Sequence, residues 1–212
     1  MNTLSMQIEK LNSELFPQLT QETLKVFGQS IQDLKTKSIE QKSIQIGEKI
    51  PEFSLPNAYG EMIFSSEILK KHKMILAFYR GSWCPYCNLE LNFLQKNLSG
   101  INDKNTVLVA ISPQSPGHSL TMAERNKLEF EVLTDFNNAF AEKLGIVFQL
   151  QDFVIPCYQD LGINLSDYNK NENNTLPVPA IFVVDKDRVV TYKFLDVNYM
   201  NRVDMEKLLQ AL

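Results

Sequence analysis

Along residues 1–44, apolar side chains recur at spacings of three and four: Leu11, Leu15 and Phe16, then Leu24, Phe27, Ile31 and Leu34. That period is helical, and Pro17 divides the stretch into two predicted helices. The segment carries no identifiable chemistry and reads as an amphipathic appendage that covers the domain or a partner subunit. From "IGEKIPEFSLPNAYGEMI" onward the texture changes to short extended runs punctuated by Pro, Gly and Asn. A compact apolar strand is predicted at 74–79, followed by a helix at 85–98 with Leu89, Phe93 and Leu94 on one face. A second buried strand, "TVLVAI", occupies 106–111 and leads into a helical stretch at 119–128. "FEVLTD" is a short strand, and 138–144 and 152–161 read as helices, the second interrupted or started late by Pro156. Strands at 180–185 and 188–194 flank the polar turn Asp185-Lys186-Asp187, a hairpin signal. A last helix closes near Leu212.

Alternating strands and helices followed by a hairpin and a helix predict an α/β fold, a central mixed sheet covered on both faces. The expected organisation is an N-terminal helical extension at 1–44 and one α/β domain at 45–212. At 212 residues the chain can bury a substantial core. The net charge of −4 gives no electrostatic reason to expect nucleic acid or an anionic membrane as partner. The longest apolar runs are too short to cross a bilayer. "MNTLSMQIEKLNSEL" lacks the basic-then-apolar pattern of a secretory signal. A cytoplasmic location is therefore expected, where thiols stay reduced and a close cysteine pair is catalytic or metal-binding more often than structural.

Such a pair stands in "FYRGSWCPYCNLEL", residues 78–91. The loop after the 74–79 strand delivers Cys84 and Cys87 to the start of the next helix, and Pro85 suits a first helical turn. Free N–H groups and the positive end of the helix dipole stabilise a thiolate there. Arg80 is close enough in sequence to add a second positive charge. Trp83 and Pro85 together shape what reads as an exposed turn. Structural zinc needs about four ligands, and Cys157, His72 and His118 are scattered with no second close pair, so no metal is expected. Cys157 reads as a buried bystander in an apolar stretch, His118 as a solvated loop residue, and Ser112-Pro113 as a strand-terminating turn. No phosphate-cradling glycine loop is present, and no nucleotide, flavin or other cofactor is expected.

The segments "IGEKIPEFSLPNAYG", "FYRGSWCPYCNLEL", "VLVAISPQSPGHSL", "EVLTDFNNAFAEKLGIVF", "LPVPAIFVVDKDRVV" and "FLDVNYMNR" resemble, in this order, the bacterial peroxiredoxin-like branch of the alkyl hydroperoxide reductase/thiol-specific antioxidant (AhpC/TSA) family. The resemblance implies a thioredoxin-like fold and a redox-active dithiol. With Cys87 in the peroxidatic register, Glu90 matches the family's glutamate, while Arg80 stands where the family has proline and Cys84 where it has threonine. The arginine that similar peroxidases place before the "xxFxxD" strand is replaced by Pro179, which resembles the cis-proline of thioredoxins and would then shape a docking groove beside the dithiol.

Two functions follow from this mixture. One is a thiol-dependent peroxidase that reduces hydrogen peroxide or organic hydroperoxides through a Cys84/Cys87 disulfide, recycled by thioredoxin or a low-molecular-weight thiol, with Arg80 and Glu90 around the thiolate. The other is a thioredoxin-like disulfide reductase or oxidant, in which Cys84, as the more exposed sulfur, attacks first. The two assign the first attack to different cysteines. Similar proteins often self-associate, which implies a homodimer. A third class, a binding or redox-sensing module without turnover, would form the disulfide and stop.

Overall fold

A computed structural model describes residues 3–212, so Met1 and Asn2 of the helical segment lie outside the described residues. Three helices come first: α1 (Leu4–Leu15), α2 (Gln21–Thr36) and the short α3 (Ile39–Lys42). Threonine caps both long helices: Thr3 accepts from the Met6 N–H and Thr20 from the Thr23 N–H. Between them Pro17 sits in a 3-10 turn, Phe16–Gln18.

There follow β1 (Ser54–Pro56), β2 (Met62–Phe64), α4 (Ser65–Leu69), β3 (Lys73–Phe78), α5 (Pro85–Lys96), α6 (Leu98–Asn102), β4 (Thr106–Ser112), α7 (Pro116–Asn126) and β5 (Glu131–Thr134). The chain continues through α8 (Ala139–Lys143), β6 (Val147–Gln149), α9 (Ile155–Asp160), α10 (Leu165–Asn169), β7 (Thr175–Pro177), β8 (Ala180–Val184), β9 (Val190–Leu195) and α11 (Met205–Gln210).

The central sheet has the order β5-β4-β3-β8-β9. β3, β4 and β5 run parallel through helical crossovers, whereas β8 is antiparallel to both β3 and β9. It is the expected mixed sheet covered on both faces. Strand β3 shows why: Ile75 and Ala77, with Tyr79 just beyond the strand, enter one core, while Met74, Leu76 and Phe78 enter the other. Successive side chains of a strand point to opposite faces, so a continuously apolar run is what a strand buried on both sides requires. α1 contributes Leu4 and Ile8 to the first of these cores. A third cluster joins Leu34 and Ile39 of the N-terminal helices to Tyr158, Leu165 and Leu176.

The hairpin differs from the expected strand at 188. Arg188 takes φ +70°, and Asp185 Oδ1 accepts the N–H groups of Asp187 and Val189, so the turn consumes two more residues before β9 begins at Val190. The two-stranded ribbons β1-β2 and β6-β7 were not expected from the sequence. Each strand is three residues long, too short for alternation to register.

Candidate active site

The dithiol sits where β3 gives way to α5. Cys84 is the residue capping α5: its Sγ accepts the Cys87 N–H at 3.4 Å, and Pro85 occupies the first turn without forfeiting a donor. Both cysteines are free thiols with 0% exposure. The expectation of Cys84 as the more exposed sulfur is thereby corrected, although Pro85, between the two cysteines, is exposed and Trp83 is half-buried. The cover comes from outside the motif: α1 packs on α5, and the Tyr86 hydroxyl reaches Asn12 Oδ1 at 2.6 Å.

Gly81 shapes the loop. Its φ is +153°, and a Cβ there would lie 2.4 Å from Trp83 Nε1, so only glycine lets the indole fold back on the turn. Trp83 packs edge-on against Tyr158 at 5.3 Å between ring centres. Gln114, just after β4, steadies the same loop: its Oε1 accepts the Ser82 N–H at 2.7 Å while its Nε2 donates to the Tyr79 hydroxyl.

Arg80 is buried, at 5% exposure. Its Nη2 donates to Cys84 Sγ at 3.2 Å and its Nη1 to the Tyr158 hydroxyl at 3.0 Å. The guanidinium carbon stands 4.0 Å from the Tyr199 ring centre and 5.1 Å from that of Trp83. Among the described residues no carboxylate pairs with it. A buried cation without a counter-ion is expensive. The group that can supply the negative charge is Cys84, as thiolate.

The second arginine of the site, Arg202, was not anticipated. It lies in the coil after β9, pairs through Nη1 with Glu90 Oε2, and donates from Nη2 to Cys87 Sγ at 3.4 Å. Arg202 and Glu90 are buried together, with side-chain exposures of 1% and 5%. Burial raises the Glu90 carboxyl, opposed by the Arg202 charge. Arg202 therefore supplies, from another part of the chain, an arginine at the dithiol although Pro179 occupies the position before β8.

The two sulfurs are driven apart. Burial alone would push the Cys84 thiol up, but the hydrogen bond from Cys87, the charges of Arg80 and Arg202 and the Arg80 hydrogen bond outweigh it and hold Cys84 well below the ordinary thiol value. Burial, the hydrogen bond to Cys84 and the negative charge beside it hold Cys87 well above that value. One ionised and one protonated sulfur, hydrogen-bonded to each other, can deliver both a nucleophile and a proton.

Pro179 is not a cis-proline: the described residues contain no cis peptide bond. It precedes β8 and lines a cavity of about 20 Å³ together with Arg80 and Tyr158. Cys157 is half-buried on α9, not buried in the core, and makes no part of the dithiol's hydrogen bonding. His118 pairs with Ser115 at 3.0 Å and lies against Tyr168, and His72 pairs with Asn105. No group of three His, Cys, Asp or Glu side chains gathers among the described residues.

The AhpC/TSA family profile matches residues 46–193. The chain belongs to the AhpC/TSA family. Its relatives include the "Putative peroxiredoxin bcp" of Buchnera aphidicola, 30% identical over 104 residues, which is 49% of this chain and 65% of that protein. The matched stretch thus spans just under two thirds of that relative. The protein of the same name in Haemophilus influenzae is 25% identical over 74% of this chain and 96% of its own length. Among solved structures, the peroxidoxin BcpB of Mycobacterium tuberculosis superposes with a TM-score of 0.62 at 19% identity, covering 79% of this chain and 96% of that one. The fold of this AhpC/TSA protein is accordingly the thioredoxin-like fold of peroxiredoxins. Among the described residues no helix is long and apolar enough to cross a membrane.

Proposed function

We propose that this protein is a thiol-dependent peroxidase that reduces hydrogen peroxide or an organic hydroperoxide through a Cys84–Cys87 disulfide cycle. The observation that carries the reading is the buried Arg80, whose guanidinium donates to the Cys84 sulfur and pairs with no carboxylate among the described residues. Membership of the AhpC/TSA family and the names of the relatives support the same chemistry.

Cys84 thiolate attacks the terminal oxygen of the hydroperoxide. The O–O bond breaks, its electron pair leaves with the alkoxide, and Cys84 becomes a sulfenic acid. Cys87, kept protonated by its surroundings, gives its proton to the alkoxide and becomes a thiolate. It then attacks the Cys84 sulfur, forming the disulfide and expelling hydroxide, which takes a proton from solvent. One peroxide and one external proton yield one alcohol, or water, plus a second water and the disulfide. An external dithiol or two thiol equivalents return both electrons. Arg80 stabilises first the thiolate and then the departing oxygen, while the Arg202–Glu90 pair fixes Cys87.

The reading keeps residues 45–212 as the redox domain and 1–44 as its helical extension. It also places the protein in the cytoplasm, where thioredoxin or small thiols are at hand. Homodimer formation belongs to the same proposal. Disulfide exchange is the second reading, favoured by the dithiol at a helix N-terminus with Cys84 outermost in sequence. It would use the same sulfurs in the same order.

Single Cys→Ser variants separate the steps. With stoichiometric peroxide, Cys87→Ser should accumulate a trappable sulfenic acid at Cys84, and Cys84→Ser should form none. Sulfenate at Cys87 in Cys84→Ser would reverse the assignment, and no peroxide consumption by the wild type alongside reduction of an insulin disulfide would select the second reading.

A further inference from the structure

Arg80 is held from two directions, and only one of them is the sulfur. Nη2 donates to Cys84 Sγ at 3.2 Å, while Nη1 donates to the Tyr158 hydroxyl at 3.0 Å. Arginine has no acceptor, so the phenol oxygen accepts. Arg80 Nε has no hydrogen-bond partner, so among the described residues Tyr158 is the one anchor of this guanidinium besides the sulfur. Tyr158 lies on α9, 78 positions further along the chain, and is buried at 7% exposure. Its ring meets two others edge-on: Trp83 with 5.3 Å between centres and 61° between planes, and Phe27 of α2 with 6.1 Å and 80°. Phe27 precedes residue 46, where the family match begins. Burial pushes the Tyr158 phenol up to about 12, so the group stays neutral where Cys84 is already ionised.

We infer that Tyr158 is a positioning residue: its neutral hydroxyl turns the Arg80 guanidinium onto the Cys84 sulfur, and Phe27 of the N-terminal extension holds the ring that carries it. A guanidinium is planar, with its donors in a fixed fork, so anchoring Nη1 sets the direction of Nη2. The chemistry of the anchor matters as much as its place. A carboxylate there would fix the same orientation but cancel the charge, and the thiolate would lose its stabiliser. A phenol accepts the hydrogen bond and leaves the positive charge to the sulfur. The other titratable groups around this corner are Cys87, Tyr86, Tyr199 and Arg202, and none of them is hydrogen-bonded to Arg80. The role rests on the peroxidase reading for its effect on rate, but not for its effect on the reduced dithiol.

Tyr158→Phe keeps the ring and removes the acceptor. In the reduced protein without peroxide, thiolate absorbance should place the Cys84 midpoint roughly one pKa unit higher than in wild type. Below that midpoint the reaction with hydrogen peroxide should slow about threefold. In an Arg80→Met background the same substitution should leave the midpoint where Arg80→Met alone puts it. A purely structural hydroxyl would alter melting and not the midpoint. An unchanged midpoint in Tyr158→Phe, or a further rise on top of Arg80→Met, would therefore overturn the positioning role. Phe27→Leu tests the same contacts with Tyr158 and Arg80 both present. It should raise the midpoint by less and add nothing to Tyr158→Phe, and an unmoved midpoint would remove the extension from the assignment. A midpoint shifted by Tyr158→Phe, in a protein whose wild type consumes no peroxide, would uphold the positioning and sink the peroxidase. Peroxide turnover with equal midpoints in wild type and Tyr158→Phe would do the reverse.

Discussion

Replacing Arg80 with methionine removes the guanidinium while keeping an unbranched apolar stem. Its Nη2 lies 3.2 Å from Cys84 Sγ, so the charge centres are about 4 Å apart, worth about 4 kcal/mol at an effective dielectric constant of about 20. At about 1.36 kcal/mol per pKa unit this is about 3 units. Arg202 remains and water can enter the vacated space, so a rise of about 1–3 units is expected. Each unit above the working pH cuts the thiolate fraction about tenfold, while the more basic sulfur gains nucleophilicity with a Brønsted slope of about 0.4–0.5, leaving a loss of about threefold per unit. A rise of about 2 units therefore predicts about a tenfold slower reaction with peroxide. Stopped-flow Trp83 fluorescence across pH reads both quantities: the midpoint of the rate profile gives the Cys84 ionisation, and the plateau gives the intrinsic rate. An unchanged midpoint in Arg80→Met would refute the reasoning. Such an unchanged midpoint with a depressed plateau would shift the role of Arg80 from thiolate to departing oxygen.

Three further outcomes follow from the same geometry. Because the folded Cys84 pKa lies below its unfolded value, the unfolded chain binds more protons through that interval, and reduced protein should gain stability as pH rises towards about 8.5, with a slope of about 1.36 kcal/mol per pH unit. Urea melts of wild type and Cys84→Ser should differ by this slope, present towards pH 8.5 and lost as pH falls through the folded value; parallel curves would contradict it. Arg202→Met strands the buried Glu90 carboxylate and should cost about 3–5 kcal/mol, with Glu90→Gln in the same chain recovering part of it; equal melting of wild type and Arg202→Met would refute the pairing. Gly81→Ala puts a Cβ 2.4 Å from Trp83 Nε1 at a positive φ, so it should destabilise by more than about 1 kcal/mol and move the Trp83 emission; an unmoved spectrum would count against the packed indole.

The sheet was legible because β3, β4 and β8 are continuous apolar runs, and a strand buried on both faces admits nothing else. The dithiol's place at the start of α5 was equally legible, since Pro85 between two cysteines after a strand fits a first helical turn. Burial of the sulfurs was not. It depends on α1 and Tyr86, and the Tyr86–Asn12 bond joins residues 74 positions apart, beyond any local pattern. Arg202 was missed for the same reason, lying 112 positions from Glu90 in irregular coil. A signal did exist: Glu90 shares the helix face of Cys87, Leu91 and Leu94, all buried, and a carboxylate on a buried face demands a cation. Pro179 misled because its position before β8 matched a thioredoxin pattern, whereas the bond there is trans.

The proposed chemistry requires one ionised sulfur opposite Arg80. Thiolate absorbance at about 240 nm follows ionisation without requiring a reagent to reach a buried atom, and free thiols ordinarily titrate near 8.5. Reduced wild type should show one thiolate already formed well below that value, with the Cys87 and Cys157 steps above it, and Cys84→Ser should lose the first step. Overlapping Cys84 and Cys87 steps near 8.5 in the wild type would contradict the account.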